Sequence, residues 1–338
     1  MNLKPNSILF SPKRAFPKWL WDACLLALLI PVYLGHFPPE TVNALRPLIL
    51  ATSLSAYGVL ALKIYIWDSH TLRELLGISL VLLLVGLGTV FSGNRCFLSC
   101  FLLVFSAKDQ DYDKLCRFFF WFFFATLLLN LLLVGAGVLE DTLSTRWEAI
   151  NFGATRHSYG FGHPNTLGFW TLLLIFSGLL YIPRKGHRAL SCLNSMLLAF
   201  CVFRVTDSKA ALLYQEDNGY FSTCNALLSD RLAYSSAAFR SFGVKLFGAQ
   251  VHFRWDPVDS LYAYAPICMG LIPTVLYFGL NLVSLYRAAR AGRWDIVAVA
   301  FAGALYSTME YGLMNPVHLP IFAACARLKV EKDRKSSV

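Results

Sequence analysis

The sequence predicts an all-α fold, a polytopic bundle of membrane-spanning helices. Of its 338 residues, 57% are hydrophobic and 15% are charged, which is more apolar than an ordinary soluble domain. Apolar runs of about 17 to 25 residues recur along the chain, and a helix of that length crosses roughly 30 Å of hydrocarbon. Because backbone groups in lipid must be hydrogen-bonded within their own segment, each run is expected to be a helix.

About ten spans are expected, in a single membrane domain over residues 1–338. They cover residues 19–36, 46–66, 74–91, 95–106, 116–138, 166–182, 189–206, 259–286, 294–312 and 314–327. The fourth and the tenth are the shortest. Long polar connections lie at residues 139–165 and 207–258, and the second is long enough to form a small ordered unit.

Basic residues concentrate in alternate connections and account for the net charge of +10. The clusters are Lys4, Lys13, Arg14 and Lys18; Lys108, Lys114 and Arg117; Arg184, Lys185 and Arg188; Arg287, Arg290 and Arg293; and Arg327, Lys329, Lys332, Arg334 and Lys335. If ten spans alternate, every cluster lies on one side, which the positive-inside rule identifies as cytoplasmic. Both termini are then cytoplasmic, the long connections face outward, and nucleic-acid binding is not expected.

The two outward connections also carry basic residues. They are Arg146, Arg156, Lys209, Arg231, Arg240, Lys245 and Arg254. The planar guanidinium group donates two parallel hydrogen bonds and so matches phosphate, as a lipid-linked pyrophosphate substrate would require. Within the second connection, residues 225–248 place apolar side chains at helical spacing. This pattern predicts an amphipathic helix on the outer membrane surface, with a loop helix packed on its neighbours as the alternative.

The most polar stretch of the first connection reads Arg-His-Ser-Tyr-Gly-Phe-Gly-His-Pro-Asn-Thr-Leu-Gly, at residues 156–168. Its glycines permit tight turns. Asn165 is predicted to cap a helix that begins at Thr166. Turn formation does not account for Arg156 or His163. His163 is a candidate general base or acid, and the alternative is that it anchors the turn.

Ionisable residues within the spans are rare. Arg204 and Glu310 lie near the outward ends of theirs, where such a group is a functional candidate by default. The alternatives are that Arg204 extends to the interface and that Glu310 pairs with an outward Arg. Asp207 and Lys209 follow the seventh span on the same side. The nine Cys show no metal-ligand spacing, so no metal, cofactor or disulfide is expected.

These motifs, in this order, resemble the Wzy-type polysaccharide polymerases of bacterial O-antigen, capsule and exopolysaccharide pathways. The resemblance covers most of the chain. It is carried by Arg156–Gly168, Asp207–Lys209, Asn225–Leu232, Leu246–Gly248, Asp259 before Tyr262, and Glu310. The order is more specific than any single motif.

The resemblance implies a metal-independent glycosyltransferase at the outer face of the bacterial cytoplasmic membrane. The donor would be a growing glycan on undecaprenyl pyrophosphate, and the acceptor would be one lipid-linked repeat unit. A glycosidic bond would form and undecaprenyl pyrophosphate would be released, without a cofactor. The implied partners are the lipid-linked oligosaccharide, the bilayer, and the flippase and chain-length regulator of the same pathway.

The resemblance also assigns roles to residues. The catalytic set is His163, Arg156 and Glu310, with His163 as a base or orienting group for the acceptor hydroxyl. The substrate-binding set is Arg231, Lys209, Asp207, Arg146, Arg254 and Asn165. Arg156 and Arg231 would hold pyrophosphate or sugar hydroxyls, and Glu310 would orient an Arg or a sugar.

The chain departs from the family pattern at two places. Lys209 stands where the family usually has Arg, and Lys cannot make the bidentate phosphate contact. Residues 210–224 form a short polar bridge where family members usually carry a further pair of spans. A shortened, inactive variant is therefore one alternative. The others are a lipid-linked glycan ligase, a transporter or flippase, and a scaffold subunit.

Overall fold

Helices make up most of the part of the chain that the computed structural model describes. The described residues are 16–35, 37, 39–146, 154–181, 238–251, 261–307 and 315–329. The predicted seventh span and most of the second long connection lie outside them. The chain forms two compact units. The first unit contains Met1–Ile30, Leu48–Tyr112 and Tyr234–Val338, and the second contains Pro31–Pro47 and Asp113–Ala233.

The order of elements follows the order of the predicted apolar runs. The helices are α1 (Lys18–Leu34), α2 (Pro39–Leu62), α3 (Leu72–Ser92), α4 (Cys96–Ser106), α5 (Tyr112–Gly135), α6 (Pro164–Tyr181), α7 (Leu261–Tyr264), α8 (Leu271–Arg290) and α9 (Trp294–Tyr306). Two short strands, β1 (Leu143–Arg146) and β2 (Ala154–His157), lie between α5 and α6. Short π-helices at Lys63–Trp67 and Ala265–Met269 and 3₁₀-helices at Ala107–Asp109 and Leu319–Ala324 complete the described elements.

Five helices in the described part of the chain are long and apolar enough to cross a membrane. They are α2 with its π-helical end (Val42–Trp67), α3, α5, α6 and α8. On α3, Leu76, Leu80, Leu83 and Val90 are all exposed, as expected of side chains that face lipid. The predominantly helical fold is therefore confirmed in the described part of the chain, and its apolar helices indicate a multi-pass membrane protein. The count of ten spans and the orientation of the termini stay predictions.

The short helix α4 is buried by protein on most of its surface. It has 11 residues, too few to cross a bilayer alone, and most of its side chains are buried. In the first unit, Trp21 donates a hydrogen bond from Nε1 to Ser106 Oγ at 3.0 Å. Phe97 stacks on Tyr277 of α8, with ring centroids 4.8 Å apart. The fourth predicted span is thus a helix, but a core helix of this unit.

The tenth predicted span is not an α-helix where the structure describes it. Residues Leu319–Ala324 form a 3₁₀-helix with Pro320 in its first turn, and helix α8 offers donors to carbonyls of this segment. Ser284 Oγ donates to Pro320 O, and the Arg287 guanidinium donates to Ala324 O. Non-helical backbone can lie at membrane depth only where protein or water satisfies it.

The eighth predicted span is interrupted rather than continuous. Helix α7 passes into the π-helix at Ala265–Met269, and α8 begins after Gly270, whose φ is 97°. Gly248 approaches this break so closely that a Cβ on it would lie 2.2 Å from Cys268 O. A side chain at either glycine would separate the two backbones. The close approach of the two backbones at the break therefore requires glycine at both positions.

Two connections that the sequence predicts on one side lie together in the first unit. The backbone of Tyr112 donates to Arg327 O at 3.1 Å, and Arg327 N donates to Gln110 O at 2.8 Å. The Arg327 guanidinium also contacts the Asp109 carboxylate at 2.8 Å. The α4–α5 connection and the segment after Ala324 thus meet at one end of this unit.

We predict that Gly248→Ala destabilises the protein by about 1–3 kcal/mol, because the added Cβ overpacks a backbone contact. The positive φ of 79° at Gly248 adds strain for any L side chain. The measurement is the thermal unfolding midpoint of the purified protein in detergent.

The matched control is Gly77→Ala, since Gly77 of α3 has open space where a Cβ would lie. This variant is expected to be neutral or to gain up to about 1 kcal/mol from helix propensity. Equal midpoints for the two variants would contradict the close approach at Gly248.

Candidate functional site

A β-hairpin stands where the sequence predicts only a polar loop between α5 and α6. Strands β1 and β2 are antiparallel, and their register pairs Leu143 with His157 and Arg146 with Ala154. The residue two positions before β1 is Asp141. The register therefore brings Asp141 beside the end of β2, although 16 positions separate it from His157 in the sequence.

The Asp141 carboxylate binds the chain on the far side of the hairpin with both oxygens. Its Oδ2 lies 2.5 Å from Nδ1 of His157. Its Oδ1 accepts hydrogen bonds from the backbone N–H groups of Ser158, at 3.0 Å, and Tyr159, at 2.8 Å. Ser158 Oγ in turn accepts from the Thr142 N–H at 3.0 Å. One carboxylate thus fixes the imidazole and the turn that follows it.

The electrostatics of this contact favour an ionised carboxylate. Partial burial raises the pKa of Asp141, but the hydrogen bonds and charge of His157 and the backbone N–H groups outweigh it. The pKa of Asp141 therefore lies below its ordinary value. A carboxylate at Nδ1 holds the ring proton there, so that Nε2 of the neutral ring carries the lone pair. This is how an orienting group prepares a histidine base.

The His157 ring is accessible and is held from a second direction. Its side chain is 46% exposed, whereas that of Asp141 is 22% exposed. The Tyr159 ring stacks on it, with centroids 5.4 Å apart and planes at 25°. Tyr159 has φ 45°, the only positive φ of a non-glycine residue in the described part of the chain. Strained backbone of this kind often accompanies function.

The turn after the hairpin is anchored in the core of the second unit. Phe161 is 1% exposed, and its ring lies 6.4 Å from that of Tyr33 and 6.0 Å from that of Trp170. Trp170 Nε1 donates to Thr126 Oγ1 of α5 at 2.7 Å. At Gly160 a Cβ would meet side chains of α5 and the loop after it at about 3 Å. The site thus rests on packed helices.

His163 is part of the start of α6. The helix begins at Pro164, and the Asn165 N–H donates to His163 Nδ1 at 3.1 Å. The prediction that Asn165 caps a helix beginning at Thr166 is therefore wrong. Proline suits the first helical position because its φ is fixed and it has no N–H to satisfy.

This bond constrains the chemistry of His163. A neutral ring that accepts at Nδ1 carries its proton on Nε2, and the side chain is exposed. The alternative that His163 anchors the turn therefore has direct geometric support. Its catalytic role, and substrate binding by Asn165, stay predictions.

The remaining predicted site residues divide into two groups. Arg146 lies on β1 and Arg156 on β2, so the backbones of these two predicted phosphate ligands share the hairpin with His157. The others, Asp207, Lys209, Arg231, Arg254 and Glu310, lie outside the described residues, as does Arg204. Their roles in substrate binding and catalysis stay predictions.

Sequence reasoning missed Asp141 as a partner of His157. No spacing motif joins the two, because the contact depends on the hairpin register. The feature of the sequence that could have pointed to Asp141 is its position in the polar stretch between Gly137 and the Arg156 motif. Among the described residues, no group of three or more His, Cys, Asp or Glu side chains is arranged to hold a metal ion.

The comparisons with known proteins identify no relative. No family model, no curated protein and no solved structure matches this chain.

We predict that Asp141→Ala loosens the turn after β2. The Ser158 and Tyr159 amides lose their acceptor, and hydrogen bonds to charged groups contribute about 1.5–3 kcal/mol. Amide deuterium exchange at these two residues should accelerate by about tenfold or more. Glu140→Gln, at the exposed neighbour, is the control and should leave exchange unchanged. Unchanged exchange in Asp141→Ala would contradict the contact.

The depressed pKa of Asp141 also predicts a pH dependence. An acid with a lowered folded-state pKa stabilises the fold fully above its unfolded value of 3.8. That stability is lost as the pH falls through the lower, folded pKa. Near-ultraviolet circular dichroism should therefore report an intact Tyr159 environment at pH 5 and its loss well below pH 3.8. A transition centred above pH 5 would contradict this assignment.

Proposed function

We propose that this protein polymerises lipid-linked oligosaccharide repeat units at the outer face of the bacterial cytoplasmic membrane. The growing glycan would pass from undecaprenyl pyrophosphate to a hydroxyl of the acceptor repeat unit. The observation that carries the proposal is the Asp141–His157 pair, an oriented and accessible imidazole in a mostly apolar chain. The order of sequence motifs supplies the substrate class.

The pair supports the chemistry of glycosyl transfer. His157 Nε2 accepts the proton of the acceptor hydroxyl while that oxygen forms a bond to the anomeric carbon of the donor. The bond between this carbon and the pyrophosphate oxygen breaks, and undecaprenyl pyrophosphate leaves with the electron pair. Arg146 and Arg156 are proposed as ligands of the leaving pyrophosphate on the strength of the sequence resemblance, and the strand register places both on the face of the hairpin opposite to that of His157.

The proposed topology has ten passes through the membrane, one of them made by the short helix α4 that its neighbours enclose, with both termini cytoplasmic. The hairpin is then extracytoplasmic, where lipid-linked repeat units are joined. The contact between the α4–α5 connection and residue Arg327 supports a shared side for these two basic segments. The flippase and chain-length regulator of the same pathway are proposed partners. Glu310 and the other predicted residues keep their proposed roles, whereas His157 is proposed as the base in place of His163.

A second candidate, a transporter or flippase for the same lipid-linked glycan, is favoured by one observation. Transporter sites are formed by interrupted membrane helices. The break between α7 and α8 and the 3₁₀-helix Leu319–Ala324 are interruptions of this kind. His318 lies beside them, buried, with Nε2 3.1 Å from Asn281 Oδ1. A lipid-linked glycan ligase, the remaining enzymatic alternative, would differ from a polymerase only in the acceptor that receives the glycan.

We predict opposite outcomes for one substitution at two histidines. His157→Asn removes the base and should lower polymer formation in cells by about 10²–10⁴-fold. His163→Asn keeps an acceptor at the start of α6, because Asn is a strong N-cap, and should preserve polymer. The readout is polymer per unit of membrane-inserted protein. An unchanged amount of polymer in cells with His157→Asn, at an unchanged level of membrane-inserted protein, would contradict the proposed role of His157.

Deletion of the gene separates the candidate functions. A polymerase deletion should accumulate single lipid-linked repeat units that an external glycosidase can reach. A ligase deletion should accumulate long lipid-linked polymer instead. A flippase deletion should accumulate single repeat units that the external enzyme cannot reach. Only the first pattern agrees with the proposed function.

A further inference from the structure

A short segment of the first unit is docked on the start of α8. This interfacial segment, residues 238–251, has a helical turn at 238–242 and then runs without regular structure. Lys245 O accepts from the Leu271 N–H at 2.9 Å, and Leu246 O accepts from the Ile272 N–H at 3.0 Å. The segment thus satisfies two of the amide donors that the start of a helix leaves unpaired.

The same segment reaches the end of α3. Phe247 stacks on Phe91, with ring centroids 6.1 Å apart. The Gln250 side chain lies 3.4 Å from where a Cβ on Gly93 would be. Helices α3 and α8 are both candidate membrane spans, and a Cβ on Gly88, near the end of α3, would lie 2.5 Å from Pro273 Cγ, near the start of α8. The segment therefore lies across the ends of two spans, at the depth of the membrane surface.

The interfacial segment exposes a row of large apolar side chains. Phe239, Phe242, Val244 and Leu246 are 37%, 39%, 45% and 59% exposed. Exposed apolar side chains also occur near the ends of the two spans that the segment contacts, and they include Val90, Leu271 and Val275. Because those spans are expected to face lipid, and because the segment is bonded to one and stacked on the other, lipid is the expected cover of its exposed apolar side chains.

The charge of the interfacial segment has one sign. Arg240 and Lys245 are both exposed, and residues 238–251 contain no Asp or Glu. Basic side chains that alternate with apolar ones suit the boundary between headgroups and acyl chains, where the apolar groups insert and the cations meet phosphate. The pattern is complementary to an anionic phospholipid surface.

We propose that the interfacial segment is a membrane anchor that inserts Phe239, Phe242, Val244 and Leu246 among the lipids and binds anionic phospholipid headgroups with Arg240 and Lys245. The anchor holds the start of α8 at a fixed depth through the backbone bonds at Lys245 and Leu246. It does not depend on the proposed enzymatic function.

The test uses a photo-crosslinking amino acid, p-benzoylphenylalanine, in the full chain reconstituted in nanodiscs of equal phosphatidylglycerol and phosphatidylcholine. At Phe242 it should form lipid adducts that contain phosphatidylglycerol several times more often than phosphatidylcholine, although the bilayer holds equal amounts of the two. At Phe101, which is 1% exposed, it should form none. Adducts are identified by mass spectrometry.

A charge variant separates insertion from headgroup binding. Arg240→Gln with Lys245→Gln should keep lipid adducts at Phe242 but return their composition to that of the bilayer. Arg290→Gln, at the opposite end of α8, should keep the enrichment. Crosslinks from Phe242 to a second copy of the protein, or no lipid adduct there, would overturn the anchor. Bilayer-like composition in the unaltered chain would overturn headgroup binding.

Discussion

The candidate site depends on the contacts that the Asp141 carboxylate makes. It lies two positions before β1 and binds three groups at and just after the end of β2, namely the His157 ring and the backbone N–H groups of Ser158 and Tyr159. Without it, a polar hairpin would have to hold an exposed imidazole and a tyrosine at positive φ by backbone pairing alone. With it, one ionised group sets the position, the tautomer and the accessibility of His157.

The membrane imposes the second constraint, because every backbone group at its depth needs a partner. The interruptions in the first unit meet this requirement through neighbours. Side chains of α8 supply donors to the carbonyls of Leu319–Ala324, and the backbone at Lys245 and Leu246 receives the first amides of α8. Irregular segments are therefore part of the packing of this unit. The same interruptions are the feature that keeps a transport function as the competing proposal.

The sequence predicted the helical, multi-pass character because apolar run length has a direct physical meaning in a bilayer. It placed α3, α4 and α6 to within a few residues. Prediction from the sequence failed where contacts between residues far apart in the chain determine the local structure. The 3₁₀-helix at Leu319–Ala324 depends on donors from α8, and the pairing of Asp141 with His157 depends on strand register. The start of α6 was missed by two residues because Pro164 opens the helix and His163 takes the role given to Asn165.

The most direct test of the central claim is glycosyl transfer by the purified protein in nanodiscs, supplied with lipid-linked repeat units alone. Release of undecaprenyl pyrophosphate is measured against repeat units joined, for the unaltered chain and for Asp141→Asn. The account predicts that one undecaprenyl pyrophosphate is released for each glycosidic bond formed. It also predicts that Asp141→Asn reacts at a rate about 10²-fold or more lower, because the amide no longer holds the ring proton at Nδ1 of His157. Equal rates in the two proteins, or no bond formation by the unaltered chain, would contradict the account.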